Sequence, residues 1–356
     1  MPLPPLRFRP ILKARTWGGQ ALAALGKPAP TGGRGPWGES WEIADLAPPV
    51  EEGVSRVLGG AYDGCTLTEL VRAHRHALLG AAPAAGGDRF PLLVKFLDAA
   101  QHLSVQVHPT AAYAAGHPGA HLKTEAWVVL DAAPGAVIYR GLRPGTTLAE
   151  IRAALGGSRF RELLLPQPVR AGDCIALESG LCHALGAGVL VAEVQTPSDT
   201  TFRLFDWDRH DPARPLHVDA ALECLLLGEA ERAALVPVTR LADDAPWTDG
   251  LRAATLCRND CFTIEAIHAS PSGDAEPFEV VTDGRPTVGI VCRGEATLRT
   301  ADHPAPHLRA GDTVLFPDDL VPTTWLPEPD CLLLHATLPL PADRIRDGLP
   351  HGQRLA

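Results

Sequence analysis

The stretch 172–183 reads Gly-Asp-Cys-Ile-Ala-Leu-Glu-Ser-Gly-Leu-Cys-His, and it decides how the fold is interpreted. A Gly-Asp turn precedes four apolar residues with strand character, a second turn follows at Gly180, and His183 ends the unit. The stretch 311–322, Gly-Asp-Thr-Val-Leu-Phe-Pro-Asp-Asp-Leu-Val-Pro, repeats this order with Pro322 in the place of the histidine. Two copies of one turn–strand–turn unit predict two β-rich units of related architecture.

Upstream of the first copy, residues 104–109 read Ser-Val-Gln-Val-His-Pro. Side chains alternate between the two faces of a strand, so Gln106 and His108 point the same way and can reach one metal ion. Glu125, within Lys-Thr-Glu-Ala-Trp (123–127), and His183 add a carboxylate and a second imidazole. Two imidazoles, one carboxylate and one amide oxygen suit zinc, while manganese, iron or cobalt could also bind. We interpret this set as a catalytic metal site.

Both copies of the turn–strand–turn unit resemble the second motif of the cupin superfamily, in which a histidine ligand follows the strand and a tight turn. Gln106-x-His108 and Glu125 occupy the places of the ligands in the first cupin motif, with a glutamine replacing one histidine. The resemblance implies two jelly rolls. The second should be free of metal, because the proline at its ligand position offers no donor atom.

The composition is that of a globular chain of about two domains, with 356 residues, 46% hydrophobic and 21% charged. No apolar run reaches the roughly 18 residues of a membrane span, and the N-terminus has no signal-peptide core, so we expect a cytoplasmic protein. The net charge of −10 and the scattered Lys and Arg residues argue against nucleic-acid binding but allow a small anionic substrate. The eight cysteines lack Cys-x-x-Cys spacing, so we expect them to pack as small hydrophobes.

The apolar patterns predict an all-β protein of two cupin-type jelly-roll domains with short helical insertions. Residues 1–232 are expected to form the catalytic, metal-binding domain, and residues 233–356 a second, metal-free jelly roll. Helical spacing of apolar residues predicts helices near 66–79 and 147–165, with a further helix within 217–228.

Several segments, in order and at the expected spacing, resemble one family of metal-dependent cupins, type I mannose-6-phosphate isomerase in its short bacterial form. The resemblance covers about residues 10–210, and beyond this part it is only architectural. The matching segments are Trp17–Gly19, Gly38–Glu42, Lys95–Gln101, Ser104–Pro109, Lys123–Trp127, His183–Gly188, Val191–Gln195 and Ser198–Leu204.

The resemblance implies roles for individual residues. It places Arg203 and Lys123 in the active site as catalytic residues and directs Lys95 and Ser104 toward the substrate, with Asp199 as a further substrate-binding candidate. Strand alternation agrees, because residues 104, 106 and 108 share one face and residues 123, 125 and 127 share another. The implied metal ligands are Gln106, His108, Glu125 and His183.

Structural roles stay open for three of these candidates. Lys95 and Asp199 are equally compatible with a surface ion pair or a turn cap. Glu193 is our candidate for carrying a proton between two substrate carbons, yet it could instead orient Arg203 through a salt bridge. Longer members of the family carry a histidine at the position of Leu122, so that side chain is not a required base in this chain.

The leading functional hypothesis is a zinc-dependent aldose–ketose isomerase, with one Zn²⁺ per chain, that interconverts mannose 6-phosphate and fructose 6-phosphate through an enediol intermediate. Arg203, Lys95 and Ser104 are the candidates for holding the phosphate. A cupin oxygenase is one alternative, because two histidines and a carboxylate resemble the facial triad of non-haem iron enzymes. A non-catalytic sugar-phosphate-binding cupin is another. We expect the protein to bind its small-molecule substrate and neither nucleic acid nor a membrane. We expect it to be a monomer or a homodimer.

Overall fold

The computed structural model describes residues 2–27, 35–50, 52–85, 87–155, 158–209, 211–212, 214–300 and 306–339. Within these ranges no helix is long and apolar enough to cross a membrane. The helices are α1 Ala21–Ala24, α2 Leu67–Leu79, α3 Ala111–Gly116, α4 Leu148–Ala154, α5 Val218–Cys224 and α6 Glu229–Ala234, with 3₁₀ helices at Gly60–Tyr62 and Ser158–Leu163.

Strands dominate the described residues. In the first half of the chain they are β1 Ile11–Gly19, β2 Trp37–Ile43, β3 Leu93–Ala99, β4 Val105–Val107, β5 Glu125–Ala132, β6 Val137–Leu142, β7 Leu164–Pro168, β8 Cys174–Leu177, β9 His183–Ala184, β10 Val189–Gln195 and β11 Phe202–Phe205. In the second half they are β12 Leu251–Arg258, β13 Thr263–Ala269, β14 Phe278–Glu279, β15 Thr287–Arg293, β16 Glu295–Thr300, β17 His307–Arg309, β18 Thr313–Phe316, β19 Thr323–Pro327 and β20 Leu332–Thr337.

The strands form four antiparallel sheets, two in each half of the chain. Sheet one has the order β1-β2-β3-β10-β5-β8, and sheet two the order β11-β4-β9-β6-β7. The second half contributes β12-β13-β20-β15-β18 and β14-β19-β16-β17. The prediction of an all-β fold with short helical insertions is confirmed. The division at residues 232 and 233 stays a prediction, and it falls inside α6.

The helical segments differ from the sequence expectations mainly at their ends. Helix α2 begins after Thr66, whose hydroxyl accepts from the Glu69 backbone N–H while the Glu69 carboxylate accepts from the Thr66 N–H, a complete capping box. The expected helical stretch 147–165 contains α4 and a 3₁₀ helix but turns into β7 at Leu164, and its residues 156 and 157 lie outside the described part. Helix α5 ends at Cys224 because Leu225 is already extended.

Sheet one is buried on both faces. The apolar core between sheets one and two includes Leu97, Val129 and Val191 from the first, Ile138 from the second, and Leu185, which follows β9. On the other face, side chains such as those of Phe96, Ala126 and Val194 join a core with residues of the second half of the chain, among them Ile264, Val288 and Leu334. A strand buried on both sides loses the simple apolar–polar alternation, and β3 and β10 are buried along their whole length.

The register of sheet one lines up one transverse row of side chains on its inner face. Lys95 is the cross-strand partner of Trp41 on β2 and of Glu193 on β10, and Glu193 is the partner of Trp127 on β5. Glu125 lies two residues before Trp127 on the same face, so polar groups of three strands converge beside it. The candidate site therefore lies beside this row, on the inner face of sheet one.

β1 and β2 approach each other very closely at the edge of the same sheet. A Cβ atom at Gly18 would lie 2.5 Å from the backbone of Trp37 and Gly38. Only glycine permits this contact. Nearby on β1, Arg15 Nε lies 2.6 Å from the Glu39 carboxylate of β2.

Candidate metal centre

The four expected metal ligands come together in the interior between sheets one and two. Gln106 on β4 is the direct cross-strand partner of His183 on β9, His108 follows the end of β4, and Glu125 begins β5 on the facing sheet. His108, Glu125 and His183 are fully buried, and Gln106 is 9% exposed. Among the described residues, His108, Glu125 and His183 form a group whose ligand atoms all lie within 4.8 Å of one another.

The distances within the cluster are those of groups that face one common point. His108 Nε2 lies 3.3 Å from Glu125 Oε2, and His183 Nε2 lies 3.2 Å from Glu125 Oε1. The Gln106 amide nitrogen is 3.2 Å from His183 Nε2. A half-turn of the amide exchanges its nitrogen and oxygen without changing the space it fills, so the oxygen can serve as the ligand.

The tautomer of His183 is set by its neighbour. Its Nδ1 lies 2.8 Å from the Leu181 carbonyl oxygen and donates to it, which leaves the Nε2 lone pair directed into the cluster. Neither ring nitrogen of His108 has a hydrogen-bond partner among the described residues, although the ring is completely buried. Buried polar atoms without partners are rare, and a metal ion would satisfy Nε2, the ring nitrogen that faces Glu125. The donor set therefore fits a divalent transition metal.

The charge states of the cluster suit metal binding. Burial, together with the nearby Lys123 ammonium, lowers the pKa of His108 to about 3, so the imidazole is neutral and one of its ring nitrogens has a free lone pair. Burial alone would raise the pKa of Glu125, but the Lys123 ammonium and His108 lower it well below its usual range. Lys123 Nζ lies 2.9 Å from Glu125 Oε2, so the predicted catalytic lysine touches the predicted carboxylate ligand.

Lys95 and Glu193 form a buried ion pair in the transverse row. Lys95 Nζ lies 3.1 Å from Glu193 Oε1, and the other carboxylate oxygen, Oε2, accepts a 2.8 Å hydrogen bond from Trp127 Nε1. Burial raises the pKa of Glu193 to about 7, and the Glu125 charge adds to this effect while Lys95 opposes it. Lys95 is 6% exposed and is therefore not part of a surface ion pair, which corrects one of the two structural readings left open for it.

A second carboxylate, that of Glu39, also contacts Lys95, and no role was predicted for it. Glu39 Oε2 lies 3.7 Å from Lys95 Nζ and accepts a 2.6 Å hydrogen bond from Trp41 Nε1, while Oε1 accepts from Arg15 Nε at 2.6 Å. Burial would raise the pKa of Glu39, but Lys95 and Arg15 lower it to about 2. The Gly38–Glu42 segment signalled the resemblance, but nothing local indicated that Glu39 faces Lys95.

Arg203 lies on β11 as the cross-strand partner of Gln106, and so on the same face as the metal cluster. Its NH1 group donates to the Pro215 carbonyl oxygen at 2.8 Å, and its Nε is buried without a hydrogen-bond partner among the described residues. The described ion pairs join Glu193 to Lys95 and not to Arg203. Glu193 therefore does not orient Arg203 through a salt bridge in this structure.

The remaining sequence candidates occupy two different environments. Ser104 is buried and precedes β4 in line with Gln106. Asp199 is exposed in the loop before β11, and its charge is one of the smaller contributions that raise the pKa of Lys95, after those of Glu193, Glu39 and Glu125. The structure thus gathers Ser104 and the other buried candidates and leaves Asp199 at the margin.

A buried cluster of two imidazoles, one carboxylate and one amide, held inside a pair of antiparallel sheets, is a candidate metal site in a fold of cupin type. Comparisons with known proteins agree. A family model described as phosphomannose isomerase type I, catalytic domain, matches residues 6–126, a range that includes Gln106, His108 and Glu125.

Curated relatives match over much more of the chain. Mannose-6-phosphate isomerase ManA of Bacillus subtilis is 35% identical over 338 residues, covering 93% of this chain and 98% of that protein. Mannose-6-phosphate isomerase of Streptococcus mutans is 35% identical over 312 residues, covering 84% and 91% respectively. The crystal structure of the mannose 6-phosphate isomerase from Bacillus subtilis superposes with a TM-score of 0.78 at 28% identity, covering 94% of this chain and 99% of that one.

The chain belongs to the type I phosphomannose isomerase family, and it is an isomerase. The resemblance read from the sequence is confirmed. Among the three functional classes that the sequence left open, family membership decides for the isomerase over the oxygenase and the non-catalytic binding protein.

Proposed function

We propose that the chain interconverts mannose 6-phosphate and fructose 6-phosphate through an enediol intermediate, with Zn²⁺ as its metal. The observation that carries the proposal is the placement of the His108–Glu125–His183 cluster beside a buried lysine–glutamate pair on the same sheet face. The names of the curated relatives, both mannose-6-phosphate isomerases, support the choice of substrate.

Gln106, His108, Glu125 and His183 would hold the metal, and Glu125 would bind as the carboxylate. A divalent cation in this position would supply Lewis-acid charge that favours negative charge on the carbonyl and hydroxyl oxygens of the sugar. Lys123, whose ammonium is already 2.9 Å from Glu125, adds fixed positive charge on the same side of the pocket.

Glu193 is the proposed proton carrier. In the ionised form its carboxylate removes the proton from carbon 2 of the aldose; the electron pair of that bond becomes the carbon–carbon double bond of the enediol as the carbonyl oxygen gains a proton. Return of the carried proton to carbon 1, with loss of the proton from the carbon 2 hydroxyl to offset the one gained by the carbonyl oxygen, gives the ketose. The pKa of about 7, raised mainly by burial, lies near neutral pH, where a general base works best. Trp127 fixes the carboxylate through Oε2.

Arg203 is the proposed phosphate contact. Lys95 is a poor candidate because two carboxylates, those of Glu193 and Glu39, already face its ammonium. Arg203, in contrast, lies with Arg214 and Arg209 around Asp206: Arg209 NH2 is 2.5 Å and Arg214 Nε is 3.5 Å from that carboxylate. Guanidinium groups bind phosphate oxygens through paired hydrogen bonds, so this cluster suits the charged end of the sugar.

The other assignments follow from position. We propose that Ser104 donates to or accepts from a sugar hydroxyl inside the pocket, because it is buried on the face of the metal ligands. Asp199 would contact the substrate at the exposed rim of the pocket. The cytoplasm, and a monomeric or homodimeric state, remain our expectations for the protein's setting.

Turnover of mannose 6-phosphate by the purified protein, followed by ¹H NMR, tests the proposal. We expect fructose 6-phosphate to form without added oxidant or reductant, zinc to be present in about one equivalent, and unphosphorylated mannose to react far more slowly. An Arg203→Met variant should raise KM for mannose 6-phosphate by about a hundredfold, since a phosphate-bound guanidinium contributes about 1.5–3 kcal/mol.

Arg152→Met is the matched control, because Arg152 is an exposed arginine of α4 that contacts Asp219 at 3.5 Å, away from the cluster. Its KM should equal that of the unaltered protein. A protein that binds zinc yet converts no hexose phosphate would contradict the proposed function.

A further inference from the structure

We propose that Glu39 is a positioning residue of this active site: Arg15 and Trp41 hold its carboxylate, and Glu39 in turn shares the Lys95 ammonium with Glu193. The inference rests on the proposed function, since it takes Glu193 to be the proton carrier.

The carboxylate of Glu39 is fixed from two sides. Its two oxygens each accept one hydrogen bond of 2.6 Å, Oε1 from Arg15 Nε and Oε2 from Trp41 Nε1. Glu39 is 7% exposed, and Trp41 is 1% exposed. A side chain held by two short hydrogen bonds in a packed interior has little rotational freedom, so its charge stays at one place.

Lys95 lies between two carboxylates at unequal distances. Its Nζ is 3.1 Å from Glu193 Oε1 and 3.7 Å from Glu39 Oε2. If Glu39 were neutral, the Lys95 ammonium would attract only the Glu193 carboxylate. Glu193 would then be held more tightly in its ion pair with Lys95, and its pKa would be lower. With Glu39 charged, Lys95 attracts both carboxylates, and the pKa of Glu193 stays high enough for it to act as a base.

The charges alternate along the row from the edge of the sheet to the metal cluster. Arg15, partly exposed, is followed by Glu39, Lys95 and Glu193. Other charged groups also act on Glu193: Glu125 raises its pKa, whereas Lys95 and Lys123 lower it. Glu39 therefore acts on Glu193 through Lys95, whose ammonium both carboxylates face.

The same strand offers a matched control. Glu42 is also buried on β2 and also pairs with a buried lysine, Lys27, at 2.8 Å, but Glu42 and Lys27 belong to the other face of the strand. Glu42→Gln therefore removes a buried carboxylate from β2 without touching Lys95. A purely structural effect of losing such a charge would appear in both variants.

The experiment measures kcat and KM for mannose 6-phosphate against pH in the zinc-loaded protein and in Glu39→Gln, Glu39→Asp and Glu42→Gln. Glu39→Gln should lower kcat about tenfold and change KM by less than about threefold. It should also shift the acidic limb of the pH–rate profile to lower pH by about one unit. Glu39→Asp keeps the charge and should leave the limb near its original pH. Glu42→Gln should leave both kcat and the limb unchanged.

An unmoved limb in Glu39→Gln, or an equal shift in Glu42→Gln, would overturn the inference. If the unaltered protein shows no isomerase turnover, the proposed function fails by itself, and the role of Glu39 is then read from the carboxyl ¹³C titration of Glu193 in the same variants. A midpoint that falls by about one pH unit in Glu39→Gln supports the sharing of Lys95, and an unchanged midpoint refutes it.

Discussion

Replacing Glu193 by glutamine separates a proton carrier from a residue that only positions its neighbours. The amide has nearly the size of the carboxylate, and its oxygen can still accept the 2.8 Å hydrogen bond from Trp127 Nε1. It cannot take up a proton from carbon. General acid–base catalysis contributes about 10²–10⁴-fold, so kcat should fall at least about a hundredfold, which corresponds to about 2.7 kcal/mol or more in the barrier.

A structural role predicts a smaller loss. If Glu193 served only to hold Lys95, Glu39 would still face that ammonium at 3.7 Å, and kcat would fall by about tenfold or less. Zinc content should be the same in both cases, because Glu193 is not among the proposed ligands. The two roles therefore predict values of kcat for Glu193→Gln that differ by about an order of magnitude or more.

The assay follows mannose 6-phosphate and fructose 6-phosphate by ¹H NMR in D₂O, which also records incorporation of deuterium at the reacting carbons. Glu193→Gln should lose turnover and deuterium exchange together while retaining zinc. Glu42→Gln serves again as the control for loss of a buried carboxylate. A Glu193→Gln enzyme within about tenfold of the original kcat would refute the assignment of Glu193 as the proton carrier.

Further predictions concern the surroundings of Glu193 and the stability of the fold. Trp127→Phe removes the N–H that bonds the Glu193 carboxylate, so the pKa of Glu193 should rise and the acidic limb of the pH–rate profile should move to higher pH, opposite to the shift expected for Glu39→Gln; an unchanged or lower limb would count against it. Glu42→Gln leaves Lys27 buried without its carboxylate and should lower the free energy of unfolding by about 3 kcal/mol, measured by urea denaturation, with kcat unchanged. Gly18→Ala should separate β1 from β2 and lower both the Tm and kcat, since a Cβ there would meet the Trp37 and Gly38 backbone at 2.5 Å.

The candidate metal ligands were predicted partly from local spacing and partly from the family resemblance. Gln106 and His108 share a face through the two-residue period of a strand, and the structure places both beside His183 and Glu125. The motif spacing at 172–183 likewise marked His183 as the end of a turn–strand–turn unit.

The charged row beside the metal centre could not be predicted in the same way. Glu39, Lys95 and Glu193 lie on β2, β3 and β10, and their contacts depend on the register between strands that are far apart in the chain. Sequence periodicity gives the face of each residue but not its partner on the next strand. For this reason Glu39 and Arg15 had no predicted role, and the only salt-bridge partner considered for Glu193 was Arg203.

The end of the second helical insertion illustrates a different limit. Leu163 and Leu164 continue the apolar spacing of α4, yet Leu164 begins β7, which pairs with β6 through partners such as Tyr139 and Pro166. A short apolar run suits a helix or a strand equally, and the neighbouring strand decides between them. The pairing partner is again a distant part of the chain.

Metal content and isomerase turnover, measured together in the purified protein and in His183→Ala, test the central claim most directly. We predict about one zinc per chain and turnover of mannose 6-phosphate that a chelator abolishes and added zinc restores. In folded His183→Ala, both the zinc and the turnover should be lost, because the Nε2 atom directed at Glu125 is gone. Turnover that persists in metal-free protein, or in a His183→Ala variant that still binds zinc in full, would contradict the account.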